Sequence, residues 1–207
     1  SPLIATVADI IAYRLAQESL VELVATRPCP TLQHADFQAY VFRSIVDGTE
    51  HVALTLGDLS GEEPVLVRVH AESRVADVFG AGGREPSVVQ QALQRIADLG
   101  RGVFLYITRP ERSLLAELDA SLSPTPPSLE QLNQPHPTVR LYGIGAQCLR
   151  LLGVHRMRLL SNNPSKLVAV QAYGLDVVGC VPLAPSGEAK LGHAAEDGSR
   201  HELRAAF

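Results

Sequence analysis

Apolar and polar positions along the chain follow two different periods, and the change from one to the other divides the sequence into segments. Residues 6–16 place apolar side chains at helical spacing behind a threonine, a residue type that caps helices. Residues 20–59 instead show short alternating runs, and the turn sequence Asp-Gly-Thr at 47–49 separates the runs 37–46 and 51–56. The pattern predicts an entry helix followed by strands that include a hairpin.

The middle of the chain returns to helical spacing once. A strand is predicted at 65–70, a helix at 87–99 that ends at Gly100, and a buried strand at 102–107. Residues 121–137 contain five prolines among Ser, Thr, Gln and Asn, a composition that favours extended or disordered backbone. We expect this stretch to be a flexible surface segment.

Helix and strand then alternate twice. Helices are predicted at 142–153 and 165–173, and each is followed by a strand, at 157–160 and 176–181. This alternation is typical of an α/β fold. The last residues, 185–207, are polar and are expected to form a flexible tail.

Composition narrows the classes of function. The net charge is −4, and the 18 Lys and Arg are scattered among 22 Asp and Glu, so there is no basic stripe for a nucleic-acid backbone. No apolar run reaches the roughly 18 to 20 residues of a membrane-spanning helix, and no signal peptide is recognisable. We therefore expect a cytoplasmic protein with neither nucleic acid nor membrane as a partner. The widely spaced cysteines Cys29, Cys148 and Cys180 are expected to be structural thiols.

Several strings of residues, in order along the chain, resemble GTP cyclohydrolase II. The most specific is Met-Arg-Leu-Leu-Ser-Asn-Asn-Pro-Ser-Lys at 157–166. Supporting matches are Arg-Val-His-Ala-Glu at 68–72, Asp-Val-Phe-Gly at 77–80, Gly-Arg-Gly-Val-Phe-Leu-Tyr at 100–106, Tyr-Gly-Ile-Gly-Ala-Gln at 142–147 and Val-Pro-Leu at 181–183. The resemblance implies a mixed sheet with flanking helices and a homodimer.

The resemblance also suggests a division of the chain. Residues 1–36 are similar to the junction of two-domain riboflavin enzymes, in which a dihydroxybutanone phosphate synthase precedes the cyclohydrolase. Residues 37–184 are expected to form the cyclohydrolase-like domain, and 185–207 the tail. A dihydroxybutanone phosphate synthase domain is accordingly a possible N-terminal partner in a longer protein.

In the family, three cysteines hold a zinc ion that activates water for opening of the guanine ring, with loss of formate and pyrophosphate. The resemblance places these ligands at Ser73, Arg84 and Pro86, none of which supplies a thiolate. A replacement site built from His51, His70 and His193 is not favoured, because they are far apart and lack paired carboxylates. We predict that zinc is absent.

Other catalytic features of the family are altered. Its Gln-Glu-Gly-Arg-Gly-Ile-Gly loop is Arg-Pro-Glu-Arg-Ser-Leu-Leu at 109–115, which keeps only Arg112 in register and loses the glycines. At the Asp-x-Arg-x-Tyr motif, Thr138 replaces the Asp implied to accept a proton, whereas Arg140, implied to act at the phosphate, is retained as a vestigial catalytic residue. Half of that catalytic pair is therefore missing.

The retained residues match nucleotide-binding positions of the family. They are Arg68, Glu72, Arg112, Ser161 and Lys166. Each also has a structural interpretation, such as an ion pair between Arg68 and Glu72 or local hydrogen bonds in the turn at 161–164. Lys166, near a predicted helix start, is also a position where anions bind.

Three hypotheses for the function follow. The favoured one is a catalytically deficient GTP cyclohydrolase II-like domain with a structural, dimerisation or regulatory role. The second is an enzyme that acts on GTP or a related nucleotide by zinc-independent chemistry, for example by release of pyrophosphate through Arg140. The third is a module that senses a nucleotide without turnover.

Overall fold

The computed structural model describes residues 13, 18–33, 35–81, 87–110, 112–122, 137–162 and 174–183, with the main chain alone at 120, 122 and 137–142. Within these residues the chain forms one sheet of seven strands, with helices on both faces. The strands are β1 (Val21–Pro30), β2 (Asp36–Ser44), β3 (Glu50–Leu56), β4 (Val65–Ala71), β5 (Gly102–Ile107), β6 (Arg156–Leu160) and β7 (Asp176–Val181). The helices are α1 (Arg74–Phe79), α2 (Val88–Leu99), α3 (Leu114–Leu122) and α4 (Pro137–Leu151).

The sheet is mixed, in the order β1-β2-β3-β5-β4-β6-β7. The pairs β1–β2, β2–β3 and β3–β5 are antiparallel, whereas β5, β4, β6 and β7 run parallel to one another. Parallel strands require crossover connections, and α1 and α2 lie in the connection from β4 to β5, while α3 and α4 lie in that from β5 to β6. The α/β class and the mixed sheet with flanking helices are confirmed.

Two apolar clusters fill the space between the sheet and its helices. On β5 the side chains alternate between the two faces, so that Leu105 lies in the cluster with Leu149 of α4, and Phe104 lies in the cluster with Ile96 of α2. All four side chains are almost fully buried. The central strand β5 is therefore covered on both sides, which explains its continuous apolar sequence.

Most predicted elements are confirmed. The hairpin turn lies at 45–47, where the Asp47 carboxylate accepts the N–H of Thr49 and Gly48 has a positive φ of 71°. Helix α2 ends at Gly100 in the left-handed conformation, with φ of 66°. None of the described helices is both long and apolar enough to cross a membrane.

One prediction is corrected, and two further helices are observed. Helix α1, which is capped by Gly80, had not been predicted. The helix predicted from residue 142 begins at Pro137, because proline is well suited to the first turn of a helix. Helix α3 had not been predicted. Outside the described residues lie the predicted helix at 165–173, the tail, and most of the entry helix and of the Pro-rich stretch. Tyr13, within the predicted entry helix, is described and is helical.

The segment before β2 is joined to the rest of the fold. Strand β1 pairs along β2, and Gln147 of α4 accepts the N–H of Leu20 at 2.7 Å and donates to the carbonyl of Glu18 at 2.8 Å. The side-chain amide thus satisfies main-chain groups as a neighbouring strand would. The domain boundary expected between residues 36 and 37 falls at the start of β2, where Phe37 is already paired with Cys29 of β1.

Candidate functional site

The carboxyl ends of the parallel strands β4, β5 and β6 carry most of the predicted site residues. Ligands of α/β proteins bind preferentially beyond such strand ends. Arg68 lies within β4 and Glu72 directly follows it, Arg112 belongs to the loop after β5, and Ser161 follows β6. Because these three strands are parallel neighbours, Glu72, Arg112 and Ser161 follow strands at the same end of the sheet, and the Arg68 side chain reaches the end of β6 from the middle of β4.

Arg68 crosses from β4 to the end of β6. Its Nη1 donates to the carbonyl oxygen of Leu160 at 3.0 Å, while its Nε is buried without a hydrogen-bond partner. Burial lowers the pKa of this guanidinium, and the nearby carboxylate of Asp77 acts in the opposite direction. The side chain thus directs a charged and incompletely satisfied group towards the residue before Ser161.

Glu72 connects the ends of β4 and β5. Its carboxylate accepts the N–H of Arg109 at 2.8 Å, and its own N–H donates to the carbonyl of Ile107 at 2.9 Å. Among the contacts of the described residues there is no pair between Arg68 and Glu72, since each side chain binds main-chain atoms elsewhere. Both residues fasten strand ends, but not through the ion pair considered from the sequence.

Ser73 caps the start of α1, at the position that the family resemblance assigns to a zinc ligand. Its φ and ψ of −137° and 91° are those of a residue preceding a helix, but its hydroxyl makes no capping hydrogen bond. Its N–H instead donates to the carboxylate of Asp77 at 2.9 Å. The chain folds locally around that carboxylate rather than around the serine side chain.

Asp77 is the centre of a network that had not been predicted. Besides the N–H of Ser73, it accepts the hydroxyl of Tyr106 at 2.9 Å and lies 2.9 Å from Nε2 of His70. His70 is buried against the rings of Phe104 and Tyr106, at centroid distances of 5.9 and 5.6 Å. The matched strings at 68–72 and 77–80 contained His70 and Asp77 but gave no reason to connect them.

The network shifts two pKa values. Burial alone would raise the pKa of Asp77, but hydrogen bonds and charge from His70, together with the bonds from Ser73 and Tyr106, outweigh it and hold this pKa below its usual value. Burial, followed by the bond to Asp77, raises the pKa of the Tyr106 hydroxyl. At neutral pH Asp77 is therefore an ionised carboxylate that accepts a hydrogen bond from the protonated hydroxyl of Tyr106.

We predict that Asp77→Asn destabilises the protein at neutral pH and that the loss disappears in acid. A depressed carboxyl pKa contributes stability above the unfolded value near 3.9, and this contribution is lost as the pH falls through the folded pKa. Loss of a hydrogen-bonded charge should lower the free energy of unfolding by about 1.5 to 3 kcal/mol at pH 7. Urea unfolding from pH 7 to pH 3 measures this, and Tyr106→Phe should show a smaller effect of the same sign. A constant difference across that range would contradict the prediction.

The loop after β5 is held by Arg74 and Glu117. The guanidinium of Arg74 donates to the carbonyl oxygen of Arg112 and forms a salt bridge with Glu117 of α3 at 3.1 Å. Arg112 therefore lies close to the start of α1, where its main chain is engaged. A second bond, from the N–H of Arg112 to the carbonyl of Arg109, closes a turn within the loop.

The other predicted site residues are only partly described. Ser161 is buried, its N–H donates to the carbonyl of Val181, and its own carbonyl accepts the thiol of Cys180 at 2.9 Å. Arg140 lies in α4, for which only the main chain is described at that position. Lys166, Arg84 and Pro86 lie outside the described residues.

The donor atoms at Ser73 do not fit a zinc ion. Protein zinc sites use thiolate, imidazole or carboxylate, and Ser73 offers a neutral hydroxyl. The described part of the chain contains no group of three His, Cys, Asp or Glu side chains able to hold a metal. The three cysteines are free, and Cys29 and Cys180 belong to the two opposite edge strands, while Cys148 is buried in α4. His51 accepts the N–H of Thr108 at 3.2 Å, and His193 lies outside the described residues.

Two clefts lie beside the sheet and its helices. One, of about 650 Å³, follows the outer face of α2 and is bordered by Leu32 and Pro182. The other, of about 400 Å³, lies beside His155 and Asp176 at the opposite ends of β6 and β7. Neither is lined by a predicted site residue, so the candidate site is defined by its side chains rather than by these clefts.

Comparison with known proteins shows the family of the chain. The family model of GTP cyclohydrolase II matches residues 22–182. The riboflavin biosynthesis protein RibBA of Aquifex aeolicus is 42% identical over 189 residues, which cover 87% of this chain and 46% of that protein. The monofunctional riboflavin biosynthesis protein RIBA 2, chloroplastic, of Arabidopsis thaliana is 40% identical over 182 residues, which cover 86% of this chain and 37% of that protein. The chain spans less than half the length of these relatives.

One solved structure is similar to this chain in fold. It is the crystal structure of RibBX, a two-domain 3,4-dihydroxy-2-butanone 4-phosphate synthase from A. baumannii. The TM-score is 0.56 at 28% identity, and the match covers 84% of this chain and 44% of that one. Because the family model matches residues 22–182 and the RibBA relative is 42% identical, the chain belongs to the GTP cyclohydrolase II family.

Proposed function

We propose that this chain is a catalytically deficient GTP cyclohydrolase II-like domain of riboflavin biosynthesis, with a structural, dimerisation or regulatory role. The observation that carries the proposal is the start of α1. There Ser73, at the position that the family resemblance assigns to a zinc ligand, offers only a hydroxyl, and the adjacent guanidinium of Arg74 is bound by a buried carboxylate. Neither the hydroxyl nor the guanidinium is a zinc ligand, since protein zinc sites use thiolate, imidazole or carboxylate.

The chemistry of the family explains why this change matters. A metal in a site with an open position lowers the pKa of bound water towards 7 and so supplies hydroxide at neutral pH. Arg84 and Pro86, at the other two ligand positions, provide no thiolate. Thr138 also lacks the carboxylate that the family uses as a base. The residues present therefore do not support ring opening.

The proposed setting is a cytoplasmic homodimer, with a dihydroxybutanone phosphate synthase domain as a possible N-terminal partner. The lengths of the relatives support the second domain, because each is more than twice as long as its matched part. Names of relatives do not decide the activity: proteins named bifunctional and monofunctional are 38% and 40% identical to this chain. Its own site residues are the better guide.

A second candidate function, nucleotide sensing without turnover, is favoured by Arg68. The buried Nε–H of this residue has no acceptor, and an unsatisfied buried donor of a charged group is costly. A phosphate or purine acceptor bound beside Ser161 would satisfy it. Arg112 and Lys166, retained at family positions, are the other groups expected to contact the nucleotide.

Calorimetric titration of the chain with GTP and with a slowly hydrolysed analogue, together with metal analysis of the same sample, tests both functions. We expect less than about 0.1 zinc per chain, since a structural site with three thiolates would be nearly filled. Binding of GTP that weakens at least about tenfold in Arg68→Met would establish the sensor, because a charged hydrogen bond contributes about 1.5 to 3 kcal/mol. Arg43→Met, which alters an exposed pair, is the matched control.

The outcomes separate the alternatives. Binding without metal indicates a sensor built on a deficient enzyme. Absence of binding leaves the structural or dimerisation role. Stoichiometric zinc would contradict the proposed deficiency, since it would mean that residues outside the described ranges complete a metal site.

A further inference from the structure

Glu117 is a buried carboxylate that the proposed function does not use. It lies in the middle of α3, and its side chain has no exposed surface. Leu114, Leu115 and Leu118 of the same helix are exposed. Because an ionised group buried without partners is strongly destabilising, the contacts of Glu117 must account for its position.

Those contacts all come from the first turn of α1. Nε and Nη2 of Arg74 donate to one carboxylate oxygen of Glu117 at 3.3 and 3.1 Å, and the N–H of Val75 donates to the other at 3.4 Å. The N–H of Val75 is among the donors that a helix start leaves unsatisfied, so Glu117 also neutralises the positive end of α1. One carboxylate thus pairs with a cation and caps a helix.

Arg74 extends the connection to the loop before α3. Its Nη2 also donates to the carbonyl of Arg112. Helix α1 is also tied to the sheet through Asp77, which accepts from Tyr106 of β5. Helix α1 has six residues and α3 has nine, and helices this short depend on tertiary contacts.

We propose that Arg74 and Glu117 form a metal-independent clamp that holds α1 and α3 together at the carboxyl ends of β4 and β5. The contacts above support the clamp by themselves. Only the comparison of the Arg74–Glu117 pair with the zinc ion of the family rests on the proposed function. In the family a zinc ion ties the position of Ser73 to positions 84 and 86. Here a guanidinium, one residue further along, supplies the fixed positive charge and ties the same helix start to α3.

Hydrogen exchange of the main-chain amides at 74–79 and 114–122, measured with a chelator present, tests the clamp. Arg74→Met leaves the buried carboxylate unpaired, and we expect exchange in both helices to accelerate at least about tenfold. Glu117→Gln should have a smaller effect, because Arg74 is about one-third exposed (36%) and can be hydrated. Arg43→Met breaks an exposed pair with Glu50 and should change exchange in these helices less than about twofold.

The double variant Arg74→Met/Glu117→Leu distinguishes a clamp from two independent residues. Removing both charges leaves no unpaired buried group, so its exchange should be slower than that of Arg74→Met alone. Additive effects, or wild-type exchange in Arg74→Met, would overturn the clamp. If Arg74→Met does not fold, the single variants Arg74→Gln and Glu117→Gln and the double variant Arg74→Gln/Glu117→Gln give the same comparison.

Treatment of the wild-type chain with the chelator separates the clamp from the proposed function. Amide hydrogen exchange that is unchanged by chelation supports a clamp formed by the protein side chains alone. Acceleration of both helices on chelation would mean that a metal holds this end, and it would overturn the clamp together with the proposed deficiency. Failure of the clamp variants in a chain free of zinc would overturn the clamp alone.

Discussion

Incubated with GTP and excess zinc, the chain is expected to release formate at least about 10⁴-fold more slowly than a family member that retains the three cysteines. The reason is the nucleophile: metal-bound water has a pKa near 7, whereas free water has a pKa near 15.7. Ser73, Arg84 and Pro86 supply no thiolate to hold the metal that makes this difference. A formate assay with chromatographic identification of the products measures the rate.

The same assay separates the remaining alternatives. Formate release that survives a chelator would establish zinc-independent ring opening and overturn the proposed deficiency. Formate release that is lost on chelation would point to a metal held by residues outside the described ranges. Release of pyrophosphate without formate, abolished in Arg140→Ala, would support the second hypothesis, in which phosphate chemistry continues without the metal.

Most of the fold could be predicted from the sequence because long elements carry a clear period. Helix α2 has twelve residues with a buried stripe of Ala92, Leu93 and Ile96, and β5 is apolar throughout. Helix α1, with six residues, is too short for a period to be recognised. Helix α3 reverses the usual pattern, since Leu114, Leu115 and Leu118 are exposed while Glu117 is buried, so the positions of apolar residues gave no useful signal.

The candidate site was predictable in position but not in its contacts. The resemblance to GTP cyclohydrolase II identified Arg68, Glu72 and Ser161, and the fold brings their strand ends together. The bond between Asp77 and Tyr106 joins residues 29 positions apart, and the pair of Arg74 and Glu117 joins residues 43 apart. Such pairs are formed by tertiary packing, which one sequence without structural information does not specify.

Retained family motifs also have structural causes, and the string at 100–106 gives an example. A Cβ added at Gly102 would lie 2.8 Å from the carbonyl oxygen of Leu66 and 3.0 Å from Cγ2 of Ile96. A side chain there would therefore separate α2 from the sheet. The glycine is required by packing whether or not the domain is catalytic, so the motif alone does not indicate activity.

The second large effect is expected at Gly57, which follows β3 and contacts the same string. Its φ is +72°, and an added Cβ would overlap the carbonyl oxygen of Gly100 and lie 3.3 Å from Cα of Arg101. Gly57→Ala should therefore combine backbone strain with a clash against main-chain atoms that cannot rotate away. We expect it to lower the free energy of unfolding by about 3 kcal/mol or more, measured by urea unfolding.

Gly48 provides the matched control, because its φ is +71° and an added Cβ would have no atom within 4 Å. Gly48→Ala carries the backbone strain without the clash, so it should cost about 1 kcal/mol. The difference between the two variants isolates the close approach of β3 to the Gly100 turn. Equal losses would show that the turn moves aside without cost, and the persistence of the glycines in this string would then need a functional rather than a packing explanation.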